Sequence, residues 1–446
     1  MSDHPETELA RFAAELTIDA IPEAVRHEAR RSLVNVFATM LAGCREGAID
    51  ITLGVMRETA GAPTAGIVGR PERTDAATAA FINAMAANIF DFDDTHEATI
   101  IHPAAIPAAG LFAEAETRGH SGARLLTAFV AGGEVECRLG NAVSPSHYAR
   151  GWHITSTCGV FGAAAGVGSL LGLSPERMRH AFSAAAVQSS GLVEMLGTMA
   201  KSIGVGGAAR GGMMAARLAG QGLTGPRHPL TGPRGYLGVV ADPPHPEALT
   251  DGLGSRWEIA RNAFKPYPTG VVLNPVLDAI LALGAEGLRL DEIAAITLTG
   301  HPLLRERTDR ADVATGREGQ VSAHHAIAIA LLEGRAGLGE FTDAAAARTL
   351  AAGRPPISFH DDPAREIASA GIVVRLADGT ELRREVTAAR GSAVNPLSDA
   401  ALEDKLADCA RYGGYRGDVR ALADALWTID EAPDVGAIMR LATAAA

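Results

Sequence analysis

The amino-acid sequence predicts a mainly α-helical protein, with a large all-helical domain and a smaller α+β domain. Apolar and small residues recur at helical spacing up to about residue 265, and alternating strand-like runs appear only between residues 294 and 386. A chain of 446 residues also exceeds the size at which one hydrophobic core keeps growing. We expect residues 1–265 and 396–446 to form the helical domain, with C-terminal helices returning to it, and residues 266–395 to form the α+β domain.

The helices of the large domain are predicted by their ends and by their apolar spacing. Pro22 stands where a first helical residue is expected, apolar residues recur from Val25 to Leu41, and Gly43 supplies a stop. The segment 74–90 has the same pattern and leads directly into a group of acidic residues. Further helices are expected over residues 104–117, 121–140, 155–172, 175–190 and 207–221.

The pattern changes after Tyr267, where the smaller domain begins. Residues 274–284 still have helical spacing, whereas residues 294–299 alternate as a strand does. The dipeptide Asp378-Gly379 predicts a β-hairpin because it joins two further alternating runs, 372–377 and 380–386.

Composition and charge narrow the class of function. With 47% hydrophobic and 21% charged residues, the chain has the composition of an ordinary soluble globular protein. Its formal net charge of −12 and the lack of a basic run argue against nucleic-acid binding. An anionic substrate stays compatible with this charge, because a local pocket can be positive inside an acidic protein.

The cysteines and the termini predict a cytoplasmic protein. The four cysteines are scattered, which supports neither a disulfide framework nor a zinc site and is typical of a reducing compartment. The N-terminus lacks the basic and apolar regions of a signal peptide. The longest apolar stretch, from Cys158 to Leu173, is short for a membrane span and is better interpreted as a buried helix. We expect no membrane partner.

The strongest functional signal is Asp91-Phe-Asp-Asp-Thr-His96, followed by His102-Pro103. Titratable residues grouped in an apolar chain indicate a site that uses perturbed pKa values. Three interpretations are open: a hard metal ion, helix capping by the aspartates, or an Asp that orients a base while Thr95 binds a substrate carboxylate. No other carboxylate cluster completes a metal shell, so we expect no bound metal.

Two histidines are candidates for proton transfer. His102 precedes a proline and therefore lies on an extended or turn segment, where the neighbouring carboxylates would favour its protonated form. His153 precedes a helix start rich in Ser and Thr, whose free N–H groups can bind an anion. Either could equally be an ordinary surface histidine.

Basic residues further along the chain offer ligands for an anion. Lys201 lies in the glycine-rich stretch 197–207, which lacks the ending of a P-loop and follows no strand, so we interpret it as an anion ligand. Arg210 could pair a carboxylate bidentately. Lys265-Pro-Tyr-Pro is either a rigid linker or a loop that places an ammonium in an interdomain cleft, where desolvation would favour the basic form.

These motifs, in this order, resemble those of the MmgE/PrpD family over nearly the whole chain. The resemblance rests on the Asp91 cluster with its His-Pro, on Gly-Trp-His153, on Lys201 with Gly206-Gly207, on Lys265-Pro-Tyr-Pro and on Asn395-Pro-Leu-Ser398. It implies a helical domain with a lid-like domain, a homodimer, and cofactor-free proton transfer on di- and tricarboxylates. It also implies a pocket lined by Asp91, Thr95, His102, His153, Lys201 and Lys265.

The chain departs from the family pattern in two places. The segment 269–274 lacks the Cys and His that many members carry, and Ser322-Ala-His-His325 replaces a Ser-x-x-Tyr. Because the proton-transfer residues are kept while their surroundings change, we expect an epimerase acting at the α-carbon of an amino-dicarboxylate such as iminodisuccinate. The alternatives are a lyase of the same family (a dehydratase or decarboxylase), a non-catalytic dimer that binds carboxylates, and a metallohydrolase.

Each candidate residue receives a role on this basis. The catalytic residues are expected to be Lys265, His102, His153 and Asp91. The substrate-binding residues are expected to be Thr95, Lys201, Arg210, Tyr267 and His325. The expected partner is a small polycarboxylate substrate, and no cofactor is expected.

Overall fold

The computed structural model describes residues 4–443 and confirms a mainly helical fold with a smaller α+β part. The chain divides into two compact units. The helical unit comprises the described residues of Met1–Asn262 and Asp399–Ala446, and the mixed unit comprises Ala263–Ser398. The sequence prediction placed these divisions at residues 265 and 396.

The helices follow the predicted segments closely in most places. In chain order they are α1 (Pro5–Glu15), α2 (Glu23–Gly43), α3 (Gly47–Met56), α4 (Ala76–Asn88), α5 (Ala105–Arg118), α6 (Gly122–Val143), α7 (Ser146–Ala149), α8 (Ile154–Leu170), α9 (Pro175–Ala186), α10 (Ala200–Gly220), α11 (Tyr236–Val240), α12 (Asn274–Ala285), α13 (Pro302–Thr308), α14 (Gly316–Gly319), α15 (Ala323–Glu333), α16 (Asp343–Ala352), α17 (Asp399–Tyr412), α18 (Val419–Trp427) and α19 (Gly436–Ala442).

Strands are short in the helical unit and longer in the mixed unit. They are β1 (Ala65–Gly66), β2 (Arg73–Thr74), β3 (Thr95–His96), β4 (Asn262–Ala263), β5 (Ile293–Gly300), β6 (Ile357–Asp361), β7 (Ala370–Leu376) and β8 (Glu381–Val386). The two-residue strands β1 and β2 pair antiparallel, so the helical unit is not strictly all-helical.

The core of the helical unit is a set of closely packed helices. Helix α8 packs against α6 and α10, and α4 packs against α2, α5 and α10. The prediction that α10 begins at residue 207 was wrong, because the glycine-rich stretch before it is already helical from Ala200. A Cβ atom on Gly206 would lie 2.7 Å from the backbone oxygen of Phe81 in α4. The glycines therefore allow close helix packing, and burial outweighs their low helix propensity.

The mixed unit is built on a four-stranded sheet of order β6-β5-β7-β8. Strand β5 pairs parallel to β6 and antiparallel to β7, with Leu298 opposite both Phe359 and Ile372. Strands β7 and β8 form the predicted hairpin, in which Gly379 has a φ of 89° that favours glycine. Helices α12 and α15 contribute Leu277, Ile280 and Ile327 to the core that covers the sheet, and most of that core is aliphatic.

The apolar segment from Cys158 to Leu173 lies mostly within α8, whose residues are almost all buried in the helical unit. Over residues 4–443, no helix combines the length and the hydropathy that crossing a lipid bilayer requires.

The adjacent glycines of α10 give a matched test of this packing. We expect Gly206→Ala to lower the free energy of unfolding by about 1–3 kcal/mol, and with it the melting temperature, because the new methyl group meets the Phe81 carbonyl. Gly207→Ala meets no atom within 4 Å and should raise stability by up to about 1 kcal/mol through better helix propensity. Thermal unfolding of both variants is the measurement, and equal effects would contradict the close α4–α10 contact.

Candidate active site

The site is organised around Asp91, which follows the C-terminal end of α4. Its backbone has a φ of 55°, in the left-handed region that Asp tolerates better than most residues. Its Oδ1 lies 2.6 Å from Nζ of Lys201, in the first turn of α10, and 3.3 Å from Nε2 of His102. The Asp91 side chain is 45% exposed, whereas the Lys201 and His102 side chains are almost fully buried. One carboxylate oxygen thus joins three segments of the helical unit.

Oxygen acceptors surround the ring of His102. Its Nδ1 lies 2.8 Å from the backbone oxygen of Asp94, 3.3 Å from Oδ1 of Asp93 and 3.4 Å from Oγ1 of Thr95. A carbonyl can only accept, so Nδ1 carries a hydrogen and donates to Asp94. Nε2, which faces Asp91, is therefore the nitrogen that can give or take a proton.

The carboxyl groups of Asp93 and Asp94, in the same loop as this ring, are both fully buried. Nδ2 of Asn88 donates to Oδ2 of Asp93 at 2.8 Å, and Nδ2 of Asn262 donates to Oδ2 of Asp94 at 3.0 Å. Burial, and then the negative charge of Asp93, raises the pKa of Asp94 to about 7. Both aspartates thus accept hydrogen bonds from side-chain amides, and α5 has no side-chain cap, so these contacts do not support the capping interpretation.

His153 has the opposite environment. It is the N-cap residue of α8, as the sequence predicted, and its N–H donates to the backbone oxygen of Gly191 at 3.1 Å. Its Nδ1 lies 2.7 Å from Oγ of Ser156. Burial, and then the positive charges of Lys201 and His102, lowers the pKa of His153 to about 3. The site therefore pairs a neutral imidazole with one that is surrounded by acceptors.

A residue that the sequence analysis missed, Lys405 of α17, holds the backbone beside Asp91. Its Nζ donates to the backbone oxygen of Phe92 at 2.7 Å and lies 3.6 Å from the centroid of the Phe92 ring. The chain has only three lysines among 40 Lys and Arg residues, and Lys201, Lys265 and Lys405 are all buried. Because lysine is so rare in this chain, each lysine could have been singled out from the sequence as a candidate for a specific role. Lysine supplies a compact ammonium at positions where the planar guanidinium of arginine does not fit.

The geometry of the acidic cluster would allow a metal ion, but the ammonium of Lys201 competes for the same carboxylate. Ligand atoms of Asp91, Asp93 and His102 lie close enough together to hold an ion. Lys201 already neutralises Asp91, and Asn88 already binds Asp93. A hard divalent cation would have to displace the ammonium, so an ion-paired network describes these groups better.

The structure does not bring Arg210 to the Asp91 carboxylate. Arg210 lies nine residues after Lys201 in α10, which places it about 13 Å along the helix axis. Its side chain is exposed, and its guanidinium lies 4.9 Å from the centroid of the Phe81 ring. This position of Arg210 therefore gives no support to the prediction that it binds substrate near Lys201.

Lys265 and Tyr267 belong to the mixed unit. Lys265 follows β4 and is 3% exposed. The hydroxyl of Tyr267 donates to Oδ1 of Asp278 at 2.7 Å, and burial together with that carboxylate raises the pKa of Tyr267 above its usual range. A role in substrate binding would require Tyr267 to release this bond.

His325 also belongs to the mixed unit, and both of its ring nitrogens have protein partners. Nδ1 lies 2.9 Å from Oγ1 of Thr349, and Nε2 lies 2.9 Å from the backbone oxygen of Glu340. Burial lowers the pKa of His325. These contacts describe a core histidine of this unit, and a substrate contact would need one of them to break.

Comparison with known proteins identifies relatives along most of the chain. Models of the MmgE/PrpD N-terminal domain and the MmgE/PrpD C-terminal domain match residues 7–249 and residues 267–429. The chain is 29% identical over 291 residues to a cis-aconitate decarboxylase of Aspergillus terreus, covering 60% of this chain and 58% of the relative. It is 34% identical over 218 residues to the human cis-aconitate decarboxylase, covering 47% and 45%. The chain thus spans about half the length of the curated relatives that it matches.

The neutral state of His153 predicts a pH dependence of stability. The unfolded chain takes up a proton at this residue below about pH 6.5, whereas the folded chain does so only near pH 3, so stability is lost as the pH falls through this range. We expect the melting temperature of His153→Gln to fall less than that of the wild type when the pH is lowered from 7 to 4.5. The matched control is His245→Gln at an exposed histidine, which should follow the wild type. An equally steep loss in His153→Gln would contradict a neutral His153.

Proposed function

The chain belongs to the MmgE/PrpD family, and from this premise we propose that it is a cofactor-independent lyase of a small unsaturated polycarboxylate, with decarboxylation as its leading reaction. The relatives named as cis-aconitate decarboxylases support this reaction class. The observation that carries the proposal is the contrast between His102, whose ring is surrounded by acceptors, and the neutral His153. Two imidazoles in different environments at one site can divide acid and base roles between them.

Decarboxylation breaks a carbon–carbon bond and leaves its electron pair on the substrate. The neighbouring double bond and the remaining carboxylate delocalise that pair, and a proton must then form the new C–H bond. We assign this delivery to Nε2 of His102, because its Nδ1 is committed to the carbonyl of Asp94. Asp91 contacts Nε2 and is 45% exposed, so it suits the return of a proton from solvent.

Lys201 and His153 suit the binding of the negative charge that develops. The Lys201 ammonium has three donors, of which Asp91 takes one. His153 is neutral and can contact a carboxylate without adding a titrating charge. Fixed donors aimed at developing charge are commonly the largest contribution to catalysis. Lys265 stays a proposed base, supported by its burial and by its place in the family motif.

The epimerase expected from the sequence is the second candidate. The presence of two imidazoles in different environments favours it, because epimerisation removes a proton from one face of a carbon and returns one to the other. The named relatives favour the lyase, so the lyase takes the lead.

Turnover in D₂O separates the two candidates. We expect the wild type to convert cis-aconitate to CO₂ and an unsaturated dicarboxylate that carries one deuterium at the new C–H bond. Lys201→Met should lower the rate by about 10²-fold or more, because it removes the cation that holds Asp91 and the substrate. The matched control is Arg411→Gln, which removes an exposed ion pair with Asp408 and should leave the rate unchanged.

The products decide the outcome. Deuterium entering the α-carbon of iminodisuccinate with loss of configuration, and without CO₂ or a new alkene, would replace the lyase by the epimerase. Absence of both reactions in the wild type would refute the proposed chemistry. Full activity of Lys201→Met would refute its assigned role.

A further inference from the structure

A surface cavity of about 360 Å³ in the helical unit is lined by three arginines, Arg118, Arg177 and Arg217. Leu171 and Leu173 add an apolar side, and none of the eight lining residues is acidic. The chain as a whole has a formal net charge of −12. The cavity is therefore a local concentration of positive charge on an acidic protein.

The cavity lies at the far end of the helices that carry the candidate active site. Lys201 is in the first turn of α10, and Arg217, sixteen residues later, lies about 24 Å further along the helix axis. Helix α5 follows His102 and ends at Arg118, and α8, which is capped by His153, ends beside the cavity. A ligand of this cavity would therefore be separate from the substrate of the active site.

A buried carboxylate anchors two of the arginines. Glu114 of α5 is fully buried, and its Oε1 accepts a hydrogen bond from Nε of Arg118 at 2.5 Å. Its Oε2 accepts from Nε of Arg217 at 2.8 Å and also from Nη2 of Arg217. A guanidinium has five N–H donors in a planar fork. Within residues 4–443, both Nη atoms of Arg118 and Nη1 of Arg217 have no hydrogen-bond partner, so these donors are available to a ligand.

Helix capping accounts for part of the cluster. Nη1 of Arg177 donates to the backbone oxygen of Gly220 at the end of α10, at 2.9 Å. Nη2 of Arg124 donates to the backbone oxygen of Leu170 at the end of α8, at 2.7 Å, and would lie 3.9 Å from a Cβ atom on the lining residue Gly172. Arginines are favourable at helix C-termini. These bonds use one N–H group of each side chain and leave the others for a further acceptor.

The four guanidinium groups share a single carboxylate. In the described part of the chain, Glu114 is the one acidic side chain that contacts any of them. The Arg118 side chain is 52% exposed and that of Arg217 is 27% exposed, so both reach solvent although Glu114 holds them. An excess of positive charge is thus held in a fixed arrangement, which favours a bound anion.

We propose that this cavity binds a small organic polyanion, a phosphate ester or a polycarboxylate, at a second site apart from the active site. The free donors of Arg118, Arg177 and Arg217 would bind its anionic oxygens, because guanidinium forks match carboxylate and phosphoryl groups bidentately. Its carbon atoms would lie against Leu171 and Leu173. Pockets for small molecules begin at roughly 300 Å³, so the cavity has room for more than an inorganic ion. The proposal goes beyond the reaction assigned above and does not depend on it.

Calorimetric titration with two probes tests the proposal. The probes are glycerol 2-phosphate and tricarballylate, a saturated tricarboxylate, and sodium chloride keeps the ionic strength constant. We expect at least one probe to bind saturably to the wild type and also to Lys201→Met, which lacks the ammonium of the active site. The probe that binds more tightly shows whether the cavity prefers phosphoryl or carboxylate oxygens.

Variants of the cavity are made in the Lys201→Met protein, so that binding at the active site does not contribute. Adding Arg118→Gln or Arg177→Gln should weaken binding about tenfold or more, because each removes charge-assisted hydrogen bonds to the probe. The matched control is Arg411→Gln, at an exposed arginine paired with Asp408, which should leave the affinity unchanged. Arg118→Lys keeps the charge without the fork, so it should weaken binding by less, and it serves if Arg118→Gln does not fold.

Unchanged affinity after both Arg118→Gln and Arg177→Gln would overturn the proposal. So would binding that is seen in the wild type and absent in Lys201→Met, because that site would be the active site. Failure of both probes to bind saturably would have the same consequence. An equal loss of affinity in Arg411→Gln would also overturn it, since the effect would then follow the overall charge rather than the cavity.

Discussion

The carboxylate of Asp91, shared between the ammonium of Lys201 and the ring of His102, is the interaction on which the rest of the site depends. It joins the end of α4, the start of α10 and the loop before α5 at one oxygen atom. Several further contacts fix the segments that carry this oxygen atom and its partners. Lys405 binds the carbonyl of Phe92, and Gly206 lets α10 approach α4 closely enough for Lys201 to reach. The left-handed backbone of Asp91 is a strained conformation, and the surrounding contacts hold it in place.

The two histidines are chemically the same, and the different roles proposed for them follow from their different surroundings. His102 lies among acceptor oxygens, and its two ring nitrogens face a carbonyl and a carboxylate. His153 is buried beside positive charge and holds no proton beyond the neutral form near pH 7. The proposed lyase would use this contrast, with acceptor oxygens around His102 and positive charge near His153, for both proton delivery and substrate binding.

Much of this could be predicted from the sequence, and the failures have physical reasons. Helical spacing predicted α2, α4 and α8, and the Asp-Gly dipeptide predicted the β7–β8 hairpin. The acidic cluster pointed to the loop in which the structure joins Asp91 to Lys201 and His102. The start of α10 was misplaced, because glycine usually signals a loop and only tertiary packing reveals why it is tolerated in a helix. Substrate binding by Arg210 stays a prediction, and its proximity to Lys201 in the sequence did not show that about 13 Å of helix separates the two. Lys405 and Asn262 were missed, because contacts across more than 150 residues leave no local pattern.

A double-mutant cycle on Asp91→Asn and Lys201→Met, read as kcat/KM for cis-aconitate, tests the shared carboxylate most directly. If the two residues act as one unit, the double variant should lose much less than the sum of the two single losses, with a coupling above about 1 kcal/mol. The same cycle with Arg411→Gln in place of Lys201→Met should be additive, because Arg411 forms an exposed ion pair with Asp408 at the surface. Additivity of Asp91→Asn and Lys201→Met within about 0.5 kcal/mol would contradict the account.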